Sequence, residues 1–303
     1  MPGDHSHHDR DAMPRPSHAS HVPRLFDQER HTDRSVPGVA RVLFWNILHG
    51  GGRERIASIA LAIMDHHPDV VVLCEFRRSI GGQIVGLLAD RGLSHHHATN
   101  PGTTTTGQSR NGVLIASRWA ITPGHQGVLG RKFPGRWLDV EIAELGLALS
   151  GIHAPDDTQA GVKAEFWNEV IALARVRTTE SRPWLIAGDA NAGRHGIDEK
   201  GKTFRFPALL GTLVTLGMAD LWRDANPDSR EVSWRSGDAN GTRIDTAFAS
   251  PALRPRVISA RFSHAERESG LSDHSILLVD IAPQPAEFRG ENAKFLRPEE
   301  ENM

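Results

Sequence analysis

Short apolar runs alternate with amphipathic stretches from residue 42 to residue 281. Residues 42–47, 70–74, 113–117, 137–142, 147–152, 184–187, 243–249 and 276–281 have the length and apolar content of strands. Residues 53–66 place Ile56, Ile59, Ala60 and Ile63 on one helical face. Residues 159–178 do the same with Val162, Phe166, Val170 and Leu173, and 208–216 read as a short helix. Residues 79–91 form a further helix, weakened by Gly81, Gly82 and Gly86. The mixture of βα units and adjacent strands predicts an α/β domain with two packed mixed sheets flanked by helices.

Four polar clusters interrupt this pattern, each at the end of a strand-like run. Asn46 closes Leu43-Phe44-Trp45-Asn46, and Glu75 follows Val70-Val71-Val72-Leu73-Cys74. Asp189 and Asn191 follow Trp184-Leu185-Ile186-Ala187-Gly188, and Asp273-His274 precede Ser275-Ile276-Leu277-Leu278-Val279. A buried strand has no structural need for an acid at its end. If the ends converge, they assemble carboxylates, amides and an imidazole, the equipment of a divalent-metal phosphoryl hydrolase.

Each residue has a chemical use and a plainer one. Glu75 can hold a hard cation, or pair with Arg77 or Arg78. An extended Gly188-Asp189-Ala190-Asn191 would point Asp189 and Asn191 the same way. Asp189 would then take a proton from water while Asn191 orients that water or a phosphate oxygen; the plainer reading is a turn. His274 titrates near neutrality and can donate to a phosphate oxygen. Asp245 is the candidate to fix its tautomer, unless it pairs with Arg243. His153 closes a strand before Pro155 and offers a second imidazole. Asn46 precedes Gly50-Gly51-Gly52 and can bind phosphate or a metal's water shell. The chain has neither a GxxxxGK[ST] loop nor an HExxH pair.

Composition narrows the class. The 303 residues are 39% hydrophobic, enough for a full core. A net charge of −2 announces no global affinity for nucleic acid or membrane. Cys74 is the single cysteine, so an internal disulfide and a thiolate zinc site are excluded. It sits in an apolar run and reads as core. No apolar run reaches membrane-span length, and the N-terminus is polar, which predicts a cytoplasmic protein. Residues 1–38 carry six His and five Pro without apolar periodicity and read as a disordered extension. Residues 283–303 read as an acidic tail, leaving a domain over 39–282.

Seven motifs taken in order resemble the endonuclease/exonuclease/phosphatase superfamily with its DNase I-like fold. They are Trp45-Asn46-Ile47, Cys74-Glu75, Asn111-Gly112-Val113 with Ser117-Arg118, His153-Ala154-Pro155, Gly188-Asp189-Ala190-Asn191, Arg243-Ile244-Asp245 and Ser272-Asp273-His274. The resemblance implies a four-layer α/β sandwich and phosphoester hydrolysis dependent on Mg²⁺, with Mn²⁺ as a substitute. Glu75 would hold the metal with Asn46 and Asp273. Asp189 would activate water and Asn191 would position it. His153 and His274, the latter braced by Asp245, would stabilise the transition-state oxygens. In some accounts of the family His274 is the base, and the sequence is compatible with either. The abasic-site endonuclease branch places Tyr where His153 sits, and this chain has no Tyr. That branch also has a polar or acidic residue where Leu48 stands.

Residues 91–138 contain no Asp or Glu but carry Arg91, Arg110, Arg118, Arg131, Lys132 and Arg136. Unless acids from elsewhere pair with them, they form a local positive surface for a polyanionic backbone. Arg110, Asn111, Arg131, Lys132 and Trp234 are the expected substrate contacts, Trp234 by stacking. His95-His96-His97 would alternate across a strand and so not converge on one ion. The expected substrate is nucleic acid, with no protein partner called for. The alternative is a small phosphorylated metabolite or lipid head group.

Overall fold

The computed structural model describes residues 38–105, 110–237 and 240–284. Apart from Gly38, Pro283 and Gln284, the expected extension and acidic tail lie outside the described residues. In chain order come β1 (Ala40–Asn46), α1 (Gly52–Asp65), β2 (Val70–Phe76), α2 (Arg78–Ala89), β3 (His95–Ala98) and β4 (Gly112–Ser117). The middle adds β5 (Thr122–Pro123), α3 (Gly127–Lys132), β6 (Trp137–Ile142), β7 (Leu147–His153), α4 (Ala160–Thr179) and β8 (Trp184–Asp189). Then follow α5 (Ala208–Thr215), β9 (Ala219–Asp220), α6 (Leu221–Ala225), β10 (Asp245–Ala249), β11 (Val257–Ser263), α7 (Ala265–Glu268) and β12 (Ile276–Ile281).

Two six-stranded mixed sheets result, ordered β11-β12-β1-β2-β4-β3 and β5-β6-β7-β8-β10-β9. Their central strands read as continuous apolar runs because both faces of each sheet are covered there. In β1, Val42 and Phe44 face the opposing sheet, whereas Leu43 and Trp45 face α1 and α2, following the two-residue period. Leu149, Leu185 and Ala187 of the second sheet complete the central layer. Phe166, Trp167 and Val170 of α4 pack on Trp184, Ile186 and Phe248. Three apolar clusters thus fill the three interfaces of a four-layer sandwich. Cys74 is buried, donating its thiol to the Ile152 carbonyl at 2.9 Å.

The α1 face is the expected one. On α4 Phe166, Val170 and Leu173 pack inward as expected, but Val162 is 42% exposed and Lys163 is buried instead. Lys163, Trp167, Val170, Ala174 and Arg177 follow the three-and-four spacing of the inward line, and Val162 falls off it. β3 and β11 were not expected, since their polar residues hide the strand period. Both are edge strands with partly or fully exposed side chains. β3 carries His95, His96 and His97.

Register explains how the polar ends meet. β1 and β2 are parallel, with Asn46 beside Cys74. β7 and β8 are parallel, with His153 beside Asp189. β10 runs antiparallel to β8 and starts with Asp245 opposite Asp189. β12 runs antiparallel to β1, so the residues just before it arrive at the Asn46 end. Four strand ends and two strand starts therefore share one rim of the sandwich.

Candidate active site

Glu75 is displaced from the β2 ladder. A bulge separates Cys74, paired with Val113, from Phe76, paired with Gly112, and Glu75 lies in the left-handed region at φ 58°. Non-glycine residues there are costly, and bulges redirect side chains. The bulge presents the carboxylate to the rim. Its Oε2 accepts the His49 N–H at 2.6 Å and faces the His49 ring at 2.9 Å. His49 belongs to a run of five left-handed residues, Leu48 to Gly52, that the three glycines make affordable. Nothing in the sequence marks His49 as a partner of Glu75.

Asn46 lies between the two carboxylates. Its Nδ2 donates to Asp189 Oδ2 at 3.0 Å and approaches Glu75 Oε1 at 3.5 Å, while its Oδ1 accepts the Leu48 N–H. Asn191 reaches the site by a turn rather than by strand alternation. Its φ is 46°, and its N–H donates to Asp189 Oδ1 at 2.9 Å. The extended Gly-Asp-Ala-Asn expected above is thus replaced by an Asx-type turn, the geometry these residue types favour. The Asn191 amide donates to the Ala154 carbonyl at 2.8 Å.

His274 is buried, with Nδ1 3.0 Å from Asp245 Oδ2 and Nε2 3.9 Å from Asp189 Oδ2. Asp245 receives the ring and does not pair with Arg243. Burial opposes charge on His274, but the Asp245 carboxylate outweighs it and lifts the imidazolium to about 9. Burial pushes Asp189 up to about 7; Asp245 adds to this against the pull of His274. His153 Nε2 is 3.9 Å from Asp189 and 4.0 Å from Glu75, and burial holds its ring down at about 4, hence neutral. Burial also opposes charge on Glu75, yet His153, the His49 N–H and the His49 ring together keep that carboxyl below its ordinary value.

The His274–Asp245 bond has a consequence for stability. Because the folded imidazole is raised from the ordinary 6.5, its contribution is complete below about 6.5 and is lost as pH rises through about 9. Urea melts of wild type and His274→Gln should therefore differ most below pH 6.5 and approach each other above pH 9. A pH-independent gap would contradict the ion pair.

Glu75, Asp189, Asp245 and Asp273 form a carboxylate cluster whose ion-pair partners, among the described residues, are histidines and never Lys or Arg. With His153 neutral, His274 alone does not balance them, so a divalent cation fits the donor set. Asp189, Asp245 and His274 are close enough to share an ion. Asp245 is already committed to the imidazole, and Asp189 to the Asn46 amide and the Asn191 N–H, which leaves Glu75 and Asp273 as the freer carboxylate donors. Asp273 accepts the Trp234 indole N–H at 2.9 Å on Oδ2. Trp234 itself lies tilted beside His274, ring centres 6.3 Å apart.

The other expected substrate contacts are more dispersed. Asn111 accepts Arg77 Nε at 2.6 Å, and Arg110 bonds to the Thr103 carbonyl at 3.1 Å. Lys132 is paired with Glu165, and Arg118 with Asp69 at 3.0 Å, so acids from elsewhere match two cations of the acid-free stretch. Arg131, on the same short helix as Lys132, is exposed. Arg136 is the member of that stretch closest to the chemistry. It donates to the His153 carbonyl at 3.2 Å and feels the charges of Asp189 and Glu75. The lack of acids around it in the sequence pointed to its region but not to its position.

The fold is shared with solved structures. The structure is similar to a 3′-5′ exonuclease (NExo) from Neisseria meningitidis, with TM-score 0.65 and 17% identity over 80% of this chain and 99% of that one. It is similar to an AP endonuclease from Archaeoglobus fulgidus, with TM-score 0.66 and 18% identity over 80% and 99% of the two chains. An endonuclease/exonuclease/phosphatase from Beutenbergia cavernae gives TM-score 0.59 and 22% identity over 82% and 72%. No curated protein matches the sequence. The family model for Endonuclease/Exonuclease/phosphatase matches residues 43–274, and the chain belongs to that family of phosphoester hydrolases.

Proposed function

We propose that this protein is a metal-dependent phosphodiesterase that cleaves nucleic acid. The observation carrying this is the convergence of Glu75, Asp189, Asp245 and His274 on one rim, with carboxylates that no Lys or Arg among the described residues pairs with. Glu75, Asn46 and Asp273 would hold Mg²⁺, for which Mn²⁺ would substitute. When bound, the ion polarises a phosphoryl oxygen and offsets its developing charge.

The chain's own groups supply the rest. Asp189 takes a proton from the attacking water; the Asn46 amide and the Asn191 N–H fix the orientation of its two oxygens. His274 is an imidazolium near neutral pH, which suits a donor to a phosphate oxygen better than a base. His153, neutral, adds an N–H donor to the same rim. Asn191 positions the water or a phosphate oxygen. Trp234 gives a flat apolar surface beside the reacting phosphate, and Arg136 and Arg131 give cations for flanking phosphates. The alkaline limb of kcat should fall above about pH 9, where His274 loses its proton. A rate still rising at pH 10 would return the base role to His274.

The neutralised cations Lys132 and Arg118 favour a second reading, a small phosphoester substrate. A fluorescent panel of single- and double-stranded DNA, RNA, an abasic duplex, a phosphoinositide and sphingomyelin, with Mg²⁺, Mn²⁺ or EDTA, separates the two. Metal-dependent cleavage of a nucleic acid supports the first. Cleavage of only a lipid or small phosphate would replace it with the second.

A further inference from the structure

Lys163 stands in the second turn of α4 with its side chain wholly buried. Fully buried lysines are rare, because an ammonium loses several kcal/mol of hydration unless it is paired and hydrogen-bonded. An apolar residue could occupy a buried helix position at lower desolvation cost, so the charge calls for its own explanation. The ammonium bonds to Asp157 Oδ1 and donates to the Asn191 carbonyl at 2.6 Å. Asp157 in turn accepts the Arg205 N–H at 3.3 Å. One charge thus ties three loops: the loop after β7, the turn after β8, and the segment leading into α5.

The tied turn is the one that orients Asp189. Asn191 is left-handed, and its own N–H orients Asp189. Its carboxamide nitrogen is fixed on Ala154, in the loop that also carries Asp157. With the main-chain carbonyl locked by Lys163, the Asn191 carboxamide has little freedom left. Three bonds fix the residue, to Asp189, Ala154 and Lys163, and the lysine supplies the cation among them.

We propose that the Lys163–Asp157 pair is a positioning device that holds the Asn191 carboxamide in the geometry needed for the reacting phosphate. The proposal rests on the role given to Asn191 above. Lys163 touches neither substrate nor metal; it acts through the Asn191 carbonyl.

The test is a double-mutant cycle read on the substrate that wild type hydrolyses fastest in the panel. Lys163→Met keeps the stem and removes the charge. It should lower kcat by about 100-fold, the scale of a displacement of roughly 1 Å at a reacting group, while KM stays within about threefold. In an Asn191→Ala background the same change should lower kcat by less than about threefold, because there is no longer a carboxamide to misplace. Asp157→Asn, at a carboxylate about one-third exposed, covers the case in which Lys163→Met fails to fold. It should lower kcat several-fold at unchanged KM, again only when Asn191 is present. A full additive loss in the Asn191→Ala background, a loss carried by KM, or an unchanged kcat in a folded variant would each overturn the proposal. If Asn191→Ala itself retains wild-type kcat, the role of Asn191 falls and this inference falls with it. A slow Asn191→Ala beside a fast Lys163→Met would overturn the inference alone.

Discussion

Asp189→Asn should fold, keep its metal affinity within an order of magnitude, and lose about 10²–10⁴ in kcat, the range assigned to a positioned acid–base group. The substitution preserves shape and removes both the charge and the second acceptor. In wild type the two carboxylate oxygens are divided, Oδ2 to the Asn46 amide and Oδ1 to the Asn191 N–H. A carboxamide offers one oxygen, so its NH₂ must face one of those donors. That conflict is local, and it is offset by relief of the burial that already pushes the Asp189 carboxyl up to about 7. The melting temperature should therefore move little while the chemical step fails. Single-turnover rates with saturating Mg²⁺, beside circular-dichroism melts, separate the two effects. A variant within tenfold of wild type would remove Asp189 from the base role and point to His274.

The site was legible in the sequence where an acid or amide closes an apolar run. Asn46, Glu75, Asp189, His153, Asp245 and His274 all meet on one rim because each sits at a strand end and the register aligns those ends. The route by which each enters was less legible. The bulge at Glu75 and the left-handed turn at Asn191 change side-chain direction without leaving a periodic trace, since Cys-Glu-Phe and Asp-Ala-Asn are ordinary in either conformation. The edge strands β3 and β11 were hidden by the polar residues that keep edges soluble. Pairing partners far apart in sequence were hidden too. Asp69 and Glu165 take up Arg118 and Lys132, and no window of sequence shows a contact over those separations. The inward lysine of α4 was missed because an apolar moment assigns Val162 to the core before it considers a charge.

Asp198→Ala should destabilise the fold by about 3–5 kcal/mol, the scale for removing one partner from a buried charge network. Asp198 receives Arg243 Nε at 2.7 Å and Arg223 Nη2 at 2.5 Å on one oxygen, and the Arg194 N–H at 2.8 Å on the other. Asp220 takes the other edge of the Arg243 guanidinium at 2.7 Å. Both guanidiniums lie near the Trp222 ring, 5.0 and 5.4 Å from its centre. Water cannot replace the lost carboxylate at a fully buried Arg243, which would keep only Asp220, while the Arg223 guanidinium would keep only the carbonyls of Asn226, Pro227 and Ser229. Urea melts should show the loss, and thermal melts a fall of roughly 10 °C in Tm. The exposed Arg254–Asp224 pair at 3.4 Å is the control, and Asp224→Ala should change stability by less than about 1 kcal/mol. Equal small effects at the two sites would mean that the buried network relaxes around the loss. A large effect at Asp198 alone would tie stability to the site, because Arg243 lies two residues before Asp245 and anchors the start of the strand that braces His274.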